Sequence, residues 1–211
     1  MPISSEHLLA EATDWRMLGL LLSCPRSGWL QELDSLAATS EDQQLQQATA
    51  AARDEADESA YHTIFGPGGP AAAREVSYQR SSFTGRFLAE LKEAYAAFAY
   101  ESTIGEAPDH VATQADFVGY LRLKEAYARA QDNTEQAELT ARTAQRIIMD
   151  HLALIAEPLV EILQNSGFRY LALAATALYQ RVGPAPTLPA AEPPDYESLV
   201  PLDPCGIEAD A

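Results

Sequence analysis

The sequence predicts an all-α protein, a single globular domain of about eight or nine helices, and three observations carry that reading. Alanine is abundant, and long stretches contain neither Gly nor Pro, a composition that favours helix. Apolar residues recur at spacings of three and four through most of the chain, the period of a helix with one face inward. Strand signals are nearly absent. With 211 residues and 47% apolar content the chain can bury a real core. The expected division is a helical domain over 1–183 and a Pro-rich, acidic tail over 184–211 that is extended or disordered.

The elements follow in order. Ser4 or Ser5 caps a first helix to about Ser23, with Leu8, Trp15, Leu18 and Leu22 on its apolar face, and Pro25 ends it. A short helix from Ser27 carries Trp29, Leu30, Leu33 and Leu36. Ser40 and Gln43 read as a capping box for a helix with Leu45, Ala48 and Ala52 inward, continuing to Tyr61, Ile64 and Phe65. The run from Gly66 to Arg74, GPGGPAAAR, is a loop by composition. Glu75 to Arg80 is expected to lead into the next helix, not to form a strand. From about Ser82, Phe87, Leu88, Leu91, Tyr95 and Phe98 form a helical stripe of core character. A helix then runs from the region of His110 to about Ala130, and Asn133 caps a long one bearing Ile147, Ile148, Leu152 and Ile155. Pro158 is expected to kink it, interrupt it or open a separate helix. Asn165, Ser166 and Gly167 form a stop, with Gly167 in the left-handed cap conformation. The last helix, Phe168 to about Val182, is apolar enough to be largely buried and is closed by Gly183 and Pro184.

A net charge of −17 argues against nucleic-acid binding, because phosphates would be repelled. The two cysteines, Cys24 and Cys205, make neither a disulfide framework nor a metal pattern. The N-terminus lacks the features of a secretory signal, and no apolar run approaches the roughly 20 residues of a membrane helix. A cytoplasmic protein without stable membrane insertion is therefore expected. There is no P-loop, dinucleotide fingerprint, HExxH pattern or GxSxG elbow. His7, His62, His110 and His151 are widely spaced; His151 and Glu157 flank the break before Pro158 and could approach one another, with a structural hydrogen bond or simple exposure as the plainer reading. No metal or cofactor is implied.

The segment around which the chain is organised is GEAPDHVATQADFVGYL, Gly105 to Leu121. Pro108 biases Ala107 to an extended conformation. Asp109 suits a helix N-cap, and His110 the first helical position, where the dipole disfavours its protonated form. Two readings stand here. One is a well-capped helix and nothing more; the other is an acidic corner that holds a polar or cationic partner.

This pattern resembles the TorD/DmsD/NarJ family of all-α chaperones dedicated to DMSO-reductase-type molybdoenzymes. The resemblance rests on YHTIFGPG (Tyr61 to Gly68), REVSY (Arg74 to Tyr78) and, most specifically, EAPDHVATQADF (Glu106 to Phe117), similar to the family's E-x-P-D-H-x-x-x-E-x-x-F signature. IIMDHLALIAEPL, Ile147 to Leu159, agrees as well. Gln114 stands where the family has Glu, and REVSY lacks a preceding proline. REVSY with Cys205 to Ile207 resembles the branch serving type II enzymes. The resemblance implies a TorD-like, non-catalytic chaperone. It would bind the apo catalytic subunit of a molybdoenzyme and its twin-arginine leader, delaying export until the cofactor is inserted. The implied client-binding residues are Asp109, His110, Glu106, Gln114, Phe65, Gly66, Glu75, Ser77 and Tyr78. Asp109 and Glu106 would supply charge, Phe65 and Tyr78 an apolar wall. Two alternatives accompany this reading: a small enzyme using Asp109 and His110 as acid and base on a nucleotide, and a structural subunit of a larger assembly. A monomer, or a dimer exchanged through a hinge at Gly66 to Arg74, is expected.

Overall fold

In the computed structural model, residues 4–79 and 84–185 are described; residues 186–211 of the expected tail, Cys205 among them, lie outside them. The helices are α1 (Ser5–Leu21), α2 (Trp29–Ala37), α3 (Gln43–Glu55), α4 (Glu58–Phe65), α5 (Thr84–Ala97), α6 (Val111–Ala130), α7 (Thr134–Arg146), α8 (Ala153–Leu163) and α9 (Arg169–Val182). A 3-10 turn (Glu75–Ser77) precedes α5, and a π turn (Ile147–Leu152) joins α7 to α8 without a break. Among the described residues there is no strand, only one isolated antiparallel bridge between Arg74 and His110.

The centre of the fold is α6. Val111, Ala112, Ala115, Phe117, Val118 and Leu121 are all fully buried, as are neighbours on its other faces. Those neighbours include polar Thr113, Gln114 and Asp116, and a helix buried on nearly every side must be wrapped by others. On one side α1 lies along it for most of its length. Two glycines make that approach possible. A Cβ on Gly119 would stand 3.0 Å from the Ala12 carbonyl oxygen, and one on Gly19 would stand 3.0 Å from that of Ala112. On other sides α7 packs against α6, and the aromatic stripe of α5 meets Phe117, whose ring centroid is 4.6 Å from that of Tyr95. The pair α3 and α9 completes the body, with α8 behind α9.

Ionic ties bind these layers. Arg16 on α1 pairs with Asp116 on α6 at 2.6 Å and with Glu32 on α2 at 2.5 Å. Arg181 on α9 reaches Asp14 on α1 and Asp42 at the start of α3. Such pairs add little when exposed, but partly buried and bidentate they fix which helix faces which.

Several boundaries differ from expectation for local reasons. Asp42, not Ser40, caps α3, accepting from the amides of Gln44 and Leu45; Ser40 instead accepts from the Asp42 amide and donates to Asp14. The expected single helix to Phe65 is two. Ala56 and Asp57 turn extended, and the Asp57 carboxylate caps α4 at the Ala60 amide. Pro158 lies inside α8, and the irregularity of that long helix is the π turn upstream of it. Ser4 caps α1 and Asn133 caps α7 as expected, and Gly167 is left-handed with φ 82°.

Candidate functional site: the corner before α6

Gly105, at φ 83°, turns the chain toward the body, and residues 106–110 then run beside the loop that follows α4. Two backbone bonds clip them together: the Glu75 amide donates to the Asp109 carbonyl at 2.9 Å, and the Val111 amide to that of Ala73 at 2.8 Å. The GPGGPAAAR loop is therefore fastened to the entry of α6. Gly66 is dictated by space, since a Cβ there would lie 2.3 Å from the His62 carbonyl oxygen.

The capping roles within the Asp-His pair are the reverse of those expected. His110 is the N-cap, with extended backbone, and its Nδ1 accepts from the Ala112 amide at 3.1 Å. Asp109 is completely buried and turns the other way. Its Oδ1 takes the Arg74 guanidinium at 2.9 Å from Nε and 2.7 Å from Nη2, while Oδ2 faces the Val76 amide at 3.4 Å. A carboxylate gains more from a bidentate charged donor than from a lone amide, so Asp109 goes to Arg74 and leaves the cap to the imidazole.

Because Nδ1 of His110 accepts, the proton of the neutral ring is on Nε2, which donates to the Tyr61 hydroxyl at 2.9 Å. Tyr61 donates in turn to Glu106 at 3.4 Å. Burial pushes the His110 pKa well below its usual value; Glu106 and Asp109 oppose that shift and Arg74 adds to it. The imidazole is thus neutral and committed at both nitrogens. Burial, with help from Glu106, likewise raises the Tyr61 hydroxyl. Glu106 also accepts from the Cys24 amide at 3.3 Å, and its side chain is 23% exposed. Phe65, half-buried, stacks at a tilt on Tyr61 with centroids 5.0 Å apart.

Behind Asp109 lies a second buried acid. Glu75 has no exposed surface and accepts from Gln114 Nε2 at 2.6 Å, from His151 Nδ1 at 3.0 Å and from Gln79. Of the readings open for His151, the plainer one holds: the π turn carries it inward to a structural hydrogen bond with Glu75, and Glu157, which could have approached it, is exposed. The bond also accounts for Gln114. A carboxylate at that position would meet Glu75 head-on, whereas the amide donates to it. Tyr78 is half-buried and donates to the Ala72 carbonyl at 2.7 Å, and Ser77 is exposed.

Of the nine expected residues, Phe65, Glu106 and His110 gather around Tyr61, and Asp109, Glu75 and Gln114 form a buried frame; Gly66 ends α4 beside Phe65, and Ser77 and Tyr78 lie on the turn after Arg74 without joining either group. Arg74, Tyr61 and His151 are essential members that the sequence reading did not assign to the site. All three lie inside segments singled out there, YHTIFGPG, REVSY and IIMDHLALIAEPL, so their motif position was the available signal.

The sequence profile of the family described as nitrate reductase delta subunit matches residues 30–161, a stretch from α2 to α8 that contains this whole corner. The chain belongs to that family. The delta-subunit family is of the NarJ/TorD type, made up of chaperones of molybdoenzyme maturation and not of catalysts. The alternative of an acid-base enzyme is set aside on this ground, and the engagement of both His110 nitrogens agrees with it. No curated protein and no solved structure matches the chain significantly. Among the described residues, no helix is long and apolar enough to cross a membrane.

Proposed function

We propose that this delta-subunit chaperone binds the apo catalytic subunit of a DMSO-reductase-type molybdoenzyme in the cytoplasm, holds its twin-arginine leader at the corner before α6, and so delays export until the cofactor is inserted. The observation that carries this is the state of Glu106. Its bonds to Cys24 and Tyr61 are long, 3.3 and 3.4 Å, and part of its carboxylate faces solvent. An arriving guanidinium gains short charge-assisted bonds there without displacing a tight pair. The Phe65 ring, half-buried against Tyr61, offers apolar surface to the residues that follow the arginines. Asp109 and Glu75 act differently: they are consumed in shaping the corner, so their effect on a client is through the fold.

The test is calorimetry with a synthetic leader peptide bearing paired arginines, against the same peptide with lysines. Glu106→Gln, at a partly exposed position, is expected to weaken the arginine peptide about tenfold, near 1.4 kcal/mol, and to narrow the arginine-over-lysine preference. Equal affinities in the variant and the parent would remove Glu106 from the site. Asp109→Ala is a poor probe of binding, because it strands the Arg74 guanidinium and acts on stability first. Affinity capture from native cells should recover a molybdoenzyme catalytic subunit still carrying its leader.

A further inference from the structure

Away from the corner, a groove of about 460 Å³ runs between α5 and α7. On α7, Gln136, Leu139, Thr143 and Arg146 recur at helical spacing and form one wall. On α5, Glu90, Glu93, Ala94 and Ala97 form the other, and the side chains of Phe98 and Ile147 close the floor. From Gln136 to Arg146 the α7 wall is about 15 Å long at 1.5 Å per residue, nearly three turns of helix.

The walls are asymmetric. Leu139 is 45% exposed, a large apolar side chain left facing the open groove. Glu90 is engaged by Arg86 at 2.9 Å, but Glu93 is exposed and has no ion-pair partner among the described residues. The groove thus offers apolar surface beside an acid on the α5 lip that has no ion-pair partner among the described residues, while Arg146 on the opposite wall is 3.8 Å from Asp150. Its end is defined by His151, whose Nδ1 is held by Glu75, so the floor is braced from behind by the frame of the corner.

We infer that the α5–α7 groove is a second docking surface for the client, taking an amphipathic helix that lays its apolar side chains over Leu139 and Phe98 and sets a Lys or Arg against Glu93. The volume accommodates side chains and not a helix backbone, so the partner helix rides on the lips, the helix-in-groove mode of recognition. The charge of the α5 lip selects a basic helix over an acidic one. That a client exists rests on the proposed function; the groove meets the corner at His151, but the residues that would dock the helix, Leu139, Phe98 and Glu93, are not those proposed for the leader.

The probe is a synthetic amphipathic Leu/Lys helix of about 14 residues, roughly four turns, with a Leu/Glu helix of equal length as comparison. Binding to the full chain is followed by fluorescence anisotropy at about 0.3 M salt, where the Debye length falls well under 10 Å and the net charge contributes little. Leu139→Glu and Glu93→Lys, both at exposed positions, are each expected to weaken the Leu/Lys peptide at least tenfold. Leu123→Glu, an equally exposed leucine on the distal half of α6, and Glu106→Gln at the corner are expected to leave it unchanged. Equal losses from Leu139→Glu and Leu123→Glu, or binding no tighter than that of the Leu/Glu helix, overturn the inference. Loss on Glu106→Gln alone overturns it too, while leaving the corner reading intact.

Discussion

His110 caps α6, donates to Tyr61 and titrates, and these tasks make it a sensor of acid. Its folded pKa is depressed mainly by burial, whereas in the unfolded chain an imidazole titrates near 6.5. Below about pH 6.5 the unfolded state therefore binds a proton that the folded state resists, and stability falls as the pH drops. Above that pH neither state is charged and the effect vanishes. Urea midpoints are expected to decline between about pH 7 and 5 in the parent and to decline less in His110→Asn, which keeps an acceptor at the cap but does not titrate. An unchanged slope in the variant would assign the decline to the carboxylates instead. At this scale the residue types of the corner were readable in the sequence and their roles were not. Pro108, Asp109 and His110 announce a helix entry, but which of the two side chains caps depends on Arg74, 35 positions earlier.

The contact of α1 with α6 depends on two positions without a side chain. In a helix interior Gly to Ala normally stabilises by up to about 1 kcal/mol. At Gly19 and Gly119 the neighbours of an added Cβ include backbone atoms at 3.0 Å, which do not yield without parting the helices. Gly19→Ala and Gly119→Ala are each expected to lower stability, by about 1–3 kcal/mol in the range of overpacked cores, measured by chemical denaturation; a gain in either would show that the helices can shift apart freely. Helix existence and type followed from spacing of three and four, so α5, α6, α7 and α9 were legible, with ends at Ala130 and Val182. What spacing does not encode is competition among short polar side chains. Ser40 and Asp42 both suit a cap, and Asp42 takes it while held by Arg181 from the last helix. Asp57, looking like one more solvated acid, breaks a helix in two.

Over the whole molecule the charge of −17 sets how partners arrive. On the proposed function, a basic leader peptide is steered by the long-range field, which salt screens within about 10 Å at 0.1 M. Stopped-flow association is expected to slow at least threefold between about 0.05 and 0.5 M salt, with dissociation changing much less; a salt-independent association rate would show that steering is absent. The sequence by itself determined the all-helical class, a helix with one apolar stripe after Pro108 and, through its motifs, the resemblance to the chaperone family. Those are properties of composition and local period, carried by neighbours along the chain. Tertiary structure alone decided that Asp109 faces Arg74, that Glu75 is sealed between Gln114 and His151, and that Glu106 keeps part of its carboxylate in solvent. Each depends on which carboxylate meets which donor across 35 to 82 residues of separation, and burial makes that pairing selective because an unpaired charge inside the protein is too costly to leave.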